Sequence, residues 1–237
     1  MAADEQVFDE KSQTRLLLSV AEQLKVPLTV MARHAELAEL AKQGTLDPQL
    51  IKTQSQAALL LVDNYLLGLQ LLAQESLPLE PVSVSSTLVD TAHIIEAYAK
   101  QYDVAIELDI AGRYGPVMAH HVGLKAALLS LGFSLVEAAG AQKASRRTLT
   151  LATHRTPKGI IAGWYGAHDM APEDWRRAVQ LQGAAGQPLQ AAGTSAAGIF
   201  VAEALSRAMD TKLRVGQRAR QSGFAITLQP SQQLQLI

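Results

Sequence analysis

The side chains best suited to catalysis or metal binding lie in two short stretches of the sequence. His168, Asp169 and Glu173 come close together and could form a small metal or acid–base cluster. Their spacing matches no known ligand signature, so a polar loop is the favoured interpretation. His120 and His121 are adjacent at a predicted strand-to-helix junction, where neighbouring side chains point apart. We therefore predict no metal site from these residues.

Common catalytic signatures are missing from the sequence. It contains no cysteine, which excludes disulfides, thiol catalysis and cysteine-based zinc sites. It also contains no G-x-S-x-G, Walker A or H-E-x-x-H motif. Evidence for a function must therefore come from the order of the predicted helices and strands and from the motifs that they contain.

Charge and hydropathy favour a cytoplasmic protein. The 237 residues carry a net charge of −1, so neither nucleic acid nor a membrane surface is an expected partner. The first residues, MAADEQVFDEK, lack the basic and then apolar pattern of a signal peptide. The longest apolar runs are shorter than a membrane span.

The N-terminal part predicts a helical hairpin. After a polar tail at 1–11, apolar residues recur at helical spacing over 12–44. The QGTLDP stretch at 43–48 breaks this pattern, and a second helix is predicted from about Pro48 to Glu75. The middle of the second helix is apolar on more than one face, which a two-helix hairpin cannot cover. Pairing two hairpins would cover it, so the sequence predicts a homodimer with a four-helix bundle.

The remainder predicts a two-layer α+β domain at 86–237, after a proline-containing linker at 77–85. Helices are expected at 86–102, 122–141, 171–181 and 195–209. Strands are expected at 104–110, 116–120, 147–155, 159–166, 211–219 and 223–230, with a Gly- and Ala-rich loop at 183–198. Together with the hairpin domain at 12–76, this gives a helical hairpin followed by a sandwich.

The order of these elements resembles the catalytic core of bacterial sensor histidine kinases, over roughly residues 12–230. That family carries a box close to S-H-E-L-R-T-P-L in its first helix, and AEQLKVPL at 21–28 is similar to it. The resemblance places Glu22 at the phosphoaccepting histidine. It places Gln23 at the acidic residue that helps move the proton, and Val26 at the residue that orients water for phosphatase action. A carboxylate accepts phosphate in other enzymes, but we interpret Glu22 as a solvated helix residue without the imidazole chemistry.

The first two nucleotide motifs of that family are also altered. Its N-x-x-x-N helix, which holds Mg²⁺ and phosphates, aligns with LLSLGFSLVEAA and puts Ser130 and Ser134 at the two Asn positions. Its D-x-G-x-G motif, whose Asp reads adenine, aligns with GWYGAHDMAPEDW. The Asp position falls near Trp164 or Tyr165, and Gly166 remains. We expect both aromatic rings to fill the space that an adenine requires.

The last family motif, G-T-G-L-G-L, cradles phosphates at the start of a helix. Here GTSAAGIF keeps Gly193 and Thr194, while Ser195 and Ala197 replace two glycines. A Cβ at such positions hinders close approach of the backbone. Gly198 is a shifted remnant of the pattern.

The altered positions are the His, Asn, Asp and Gly residues that bind or transfer phosphate in the family. Pro27, the apolar periodicity and the order of the strands, which determine the fold, are kept. The resemblance therefore implies an inactive, histidine-kinase-like scaffold that needs no cofactor. Its expected partners are a second copy of the chain and a response-regulator receiver domain or a true kinase, contacted through Glu22, Lys25 and Leu28. One alternative is residual Mg-ATP binding or kinase activity through the serines at 130 and 134, Asp169 and the Gly-Thr pair at 193–194. A second alternative is a phosphotransfer protein, which the missing histidine argues against.

Overall fold

The computed structural model has an α+β fold, a helical hairpin followed by a mixed sheet with helices, which confirms the predicted fold class. The structure describes residues 10–40, 47–72, 78–110, 112, 114–141, 147–166, 190–191, 194–195, 197–218 and 221–231. Within helices and strands, the side chains of residues 10–19, 22, 69, 71–72, 190–191 and 194–195 lie outside this description. The helix predicted at 171–181 and the cluster at 168–173 also lie outside the described residues.

The elements follow one another in a simple order. The hairpin is α1 (Glu10–Leu40) and α2 (Pro48–Leu72). The second part comprises β1 (Glu80–Val82), α3 (Val84–Ala99), β2 (Val104–Ile110), β3 (Val117–Ala119), α4 (His121–Ala141), β4 (Arg147–Thr156), β5 (Gly159–Gly166), β6 (Gln190–Ala191), β7 (Thr194–Ser195), α5 (Ala197–Ala208), β8 (Leu213–Arg218) and β9 (Gln221–Pro230). A short 3₁₀ helix, Lys100–Tyr102, follows α3.

The segment predicted as a linker at 77–85 contains structure that the sequence pattern did not indicate. It includes β1 and the first residues of α3. Ser83 caps α3 by accepting a hydrogen bond from the backbone N–H of Ser86. Val82 is buried and pairs with Val117. A three-residue edge strand that contains a proline carries no periodic signal, which is why it was missed.

Seven strands form the main sheet in the order β1-β3-β9-β5-β4-β2, and β8 pairs with the same edge of β9 that continues to β3. β2 runs parallel to β4, and the other pairs are antiparallel. A cross-strand row of Leu151, Trp164 and Phe224 faces the main core. The opposite face carries a separate small cluster of Ala152, Tyr165 and Ala225.

Helix α4 occupies the centre of the core. It contacts α3, α5 and the strands β4 and β5, and its side chains are buried on all sides from Ala126 to Ala139. Within the described residues, it is the one helix long and apolar enough to span a membrane. Because 89% of its apolar window is buried inside the protein, its hydrophobicity is explained by this central position.

The hairpin lies against the helical layer of the second part. Both α1 and α2 contact α5, and α2 also contacts α3 and α4. The buried hairpin residues Val20, Ala57, Leu61 and Tyr65 belong to the same apolar cluster as the core of the sandwich. The hairpin and the sandwich therefore share one continuous core in this arrangement.

Candidate functional site

The box-like segment of α1 meets the central helix α4 through two polar side chains. Gln23 Nε2 donates a hydrogen bond to Ser134 Oγ at 3.2 Å. Each of the two residues is 2% exposed. The structure thus brings Gln23, which follows Glu22 in α1, into direct contact with Ser134 of α4.

The two faces of α1 differ in solvent exposure around Gln23. Val20, Gln23 and Pro27 are buried at helical spacing. Lys25 is exposed, and Leu28 is 54% exposed. The residues predicted to contact a partner are therefore on the outer face, while the residues of the inner face hold α1 against the sandwich. Glu22 lies in α1, and Val26 is half-buried.

Helices α4 and α5 cross at very short range next to the Gln23–Ser134 contact. A Cβ atom added at Gly198 would lie 2.1 Å from the carbonyl oxygen of Ser130 and 2.4 Å from Ser134 Oγ. Such distances are far below van der Waals contact, so only glycine fits here. Gly198 therefore serves helix packing, a role that the phosphate-loop comparison could not reveal. The hydroxyl of Ser130 is buried and has no hydrogen-bond partner among the described residues.

The segment that aligns with the glycine-rich phosphate loop contributes a short strand. Thr194 and Ser195 form β7, which pairs with β6 and lies against α1 and α4. Ala197 begins α5 and is fully buried. Gly193 lies outside the described residues, as does Asp169. Gln23 of α1, Ser134 of α4, Gly198 of α5 and strand β7 thus lie close together.

Trp164 and Tyr165 do not share one space, contrary to expectation. Trp164 is fully buried under α4, where its indole N–H donates to the Leu128 carbonyl at 2.8 Å and its ring lies near Gly132. Tyr165 is buried on the opposite face of the sheet, next to Gly216. Successive residues of a strand point to opposite faces, which separates the two rings. Gly166 is buried at the end of β5.

A buried acidic residue lies one helical turn beyond Ser134. Glu137 accepts a hydrogen bond from Tyr98 at 2.9 Å, and Tyr98 and Tyr102 hydroxyls are 3.0 Å apart. Burial raises the pKa of Glu137 to about 7, against the lowering effect of the Tyr98 hydrogen bond. Its second carboxyl oxygen has no hydrogen-bond partner in the part of the chain that the structure describes. Glu137 is the single acidic residue in the apolar sequence of α4, and this isolated position is the sequence signal that indicates a buried carboxyl group.

The histidine pair at 120–121 has a structural role for one member. His120 Nδ1 accepts a hydrogen bond from the backbone N–H of Gly123 at 3.1 Å, which caps α4. Within the part of the chain that the structure describes, no group of three or more His, Cys, Asp or Glu side chains could hold a metal ion.

Comparisons with known proteins identify the fold. No family model and no curated protein sequence matches the chain. Histidine kinase AdeS of Acinetobacter baumannii is similar in structure, with a TM-score of 0.54, 17% identity, and 89% of this chain and 98% of that chain covered. Histidine kinase ThkA in complex with response regulator TrrA gives a TM-score of 0.57 at 10% identity, covering 94% of this chain and 62% of that chain.

Full-length ShkA in complex with AMPPNP gives a TM-score of 0.56 at 15% identity, covering 93% of this chain and 44% of that chain. Identities this low establish the fold alone. The chain therefore has the fold of histidine kinase catalytic cores, with the helical hairpin and the ATPase-like sandwich in the same order.

Proposed function

We propose that this protein is a catalytically inactive, histidine-kinase-like module that acts by binding a partner of a two-component pathway. The proposal combines the established fold with the chemistry of the residues at the candidate site. Fold alone does not determine activity, so the site carries the argument.

The hydrogen bond between Gln23 and Ser134 is the main observation behind this proposal. In a kinase of this fold, the transferred phosphoryl group would lie between the phosphoacceptor position and the metal-binding position. A reacting phosphorus needs about 3 to 3.5 Å to the attacking atom, and Mg²⁺ needs about 2 Å to each ligand oxygen. Gln23 follows the phosphoacceptor position, and its 3.2 Å hydrogen bond occupies Ser134 Oγ, the hydroxyl that a metal ion would have to approach.

The residues around this contact are also poorly suited to Mg-ATP. Ser130 and Ser134 offer hydroxyls in place of the two amide side chains. Gly198 is pressed against the Ser130 carbonyl, so the helix that would bind phosphates is packed onto α4 instead. Trp164 fills the space between β5 and α4 with a hydrogen-bonded indole. We derive no phosphoryl-transfer step from this site.

The outer face of α1 is the proposed contact surface for the partner. Lys25 and Leu28 lie three residues apart and are both exposed. A mixed surface of apolar and charged side chains is typical of a transient interface. ThkA was solved with a response regulator, which supports a receiver domain as the partner class. The fixed charge of Glu22 would then resemble a phosphorylated side chain to that domain.

Exposed leucines on the hairpin support a homodimer. Leu37, Leu40, Leu59 and Leu66 are between 47% and 80% exposed. A second hairpin would cover such a surface and complete a four-helix bundle.

Radiolabelling tests the proposal. The full chain is incubated with γ-labelled ATP and Mg²⁺, and separately with a phosphorylated receiver domain. We expect no label on the chain in either case. Stable label from ATP would support the kinase alternative, and label from the receiver would support the phosphotransfer alternative.

Partner binding is tested in parallel with matched variants. Leu28→Ser is expected to weaken binding of a receiver domain by about tenfold, because it removes exposed apolar area from the contact. Glu22→Gln tests the charge mimic, and Val89→Ser is the control, since Val89 is similarly exposed on α3. Unchanged affinity in Glu22→Gln would remove the mimic hypothesis, and unchanged affinity in both test variants would contradict the proposed surface.

A further inference from the structure

A cleft lies at one end of the sheet, between the β4–β5 turn, the α5–β8 connection and the end of β9. Its volume is about 640 Å³, within the range of small-molecule sites. Lys158, Lys212 and Arg214 lie along it, and Asp210 is its only acidic residue among the described lining residues. None of the residues assigned to the candidate site above contributes to it.

The three cationic side chains of this cleft are exposed and form no ion pair in the part of the chain that the structure describes. Elsewhere in that part, Arg207 and Arg218 are each paired with a carboxylate. Like charges gathered without a partner repel one another, and an anion placed among them relieves that repulsion. A concave, partly low-dielectric surface strengthens this effect.

The backbone around the cleft is held firmly. Thr211 donates its hydroxyl to the Thr227 carbonyl at 2.7 Å, and Gln229 donates to the Lys158 carbonyl at 3.3 Å. These two bonds fix the α5–β8 connection and the β4–β5 turn to the same strand, β9. The lysines at 158 and 212 therefore project from anchored backbone on both sides of the cleft.

Apolar side chains complete the lining. Met209 and Leu228 are buried, and Met118 and Leu79 are partly exposed. Methionine adapts its shape to irregular apolar ligands. Exposed cationic side chains next to apolar side chains suit a ligand that has both an anionic group and an apolar part.

We infer that this cleft binds a small amphipathic organic anion, with an apolar body against Leu79 and Met118 and a carboxylate, sulfonate or phosphate group between Lys158, Lys212 and Arg214. A small ligand fits better than an extended acidic segment, because a concave volume of this size encloses most of a small molecule. The inference is independent of the proposed partner surface on α1.

Two fluorescent probes of matched shape test it on the full chain. Anilinonaphthalene sulfonate carries the anionic group, and N-phenyl-1-naphthylamine is its neutral counterpart. We expect saturable binding of the sulfonate, and an approximately tenfold loss of its affinity in the double variant Lys212→Gln, Arg214→Gln, since two favourable charge contacts are removed. The neutral probe should bind both proteins equally, which also shows that the variant is folded.

A control variant separates this cleft from general surface charge. Arg33→Gln with Lys52→Gln makes the same change of charge on exposed hairpin residues and should leave sulfonate binding unchanged. Backbone amide shifts on sulfonate binding should concentrate at residues 209–214 and 227–229. Equal sulfonate affinity in both double variants, amide shifts elsewhere, or binding of hexaglutamate in preference to the sulfonate would each overturn the inference.

Discussion

Helix α4 and the hairpin are both rich in leucine, but the structure buries them very differently. Every residue of α4 from Ala126 to Ala139 is buried within the sandwich. In the hairpin, Leu37 and Leu59 are 56% and 64% exposed. The core around α4 is therefore covered, in part by the inner face of the hairpin, whereas the outer side of the hairpin keeps an apolar surface that the described residues leave exposed. The first region stabilises the fold, and the second is available for association.

The largest effect on folding is expected for Trp164→Ala. The substitution empties a fully buried volume under α4 and removes the hydrogen bond to the Leu128 carbonyl. We expect the free energy of unfolding to fall by about 3 to 5 kcal/mol in chemical denaturation. Trp164→Phe, which keeps most of the apolar volume, should lose clearly less. Equal losses in the two variants would contradict a packing role for the indole.

The free energy of unfolding should depend on pH because of Glu137. Its pKa is about 7 in the folded protein and near the ordinary value of 4.5 when unfolded. The folded state therefore binds more protons between these values, and its stability falls as pH rises from about 4.5 to 7, by up to about 3 kcal/mol. Glu137→Gln should remove this contribution, while Glu107→Gln, an exposed control, should keep it. Parallel pH profiles for wild type and Glu137→Gln would show that this carboxyl is not responsible.

Gly198→Ala should destabilise the sandwich by about 1 to 3 kcal/mol, although alanine favours helices. The added methyl group meets the backbone of α4 at Ser130, which cannot move aside as a side chain can. Thermal unfolding measures the change. A stabilised variant would indicate that α4 and α5 are further apart than described.

The smallest effect on folding is expected in the hairpin. Leu37→Ser with Leu59→Ser should change the free energy of unfolding of the single chain by about 0.5 kcal/mol or less, since both side chains are exposed. The same variant should weaken dimerisation by about tenfold or more in sedimentation experiments. Leu108→Ser, exposed on β2, is the control that should leave dimerisation unchanged. A fully monomeric wild-type protein would contradict the association role.

Local patterns predicted most of the elements, because periodicity and turn residues report on neighbouring positions. The strands at 104–110 and 159–166 have the predicted bounds. Contacts between distant residues were not predictable in this way. Gln23 and Ser134 are 111 positions apart, and no pattern in either helix indicates that they meet. The two faces of β5, in contrast, could have been predicted from strand alternation, which separates Trp164 from Tyr165.

Titration calorimetry of the full chain with Mg-ATP is the most direct test of the central proposal, that the site at Ser130 and Ser134 performs no phosphoryl transfer. We predict no saturable heat up to about 1 mM nucleotide. The Gln23→Ala variant should show whether the contact with Ser134 alone blocks the site, and it is expected to remain without binding because Trp164 and Gly198 still occupy their positions. Saturable micromolar binding of Mg-ATP to the wild-type protein would contradict the account.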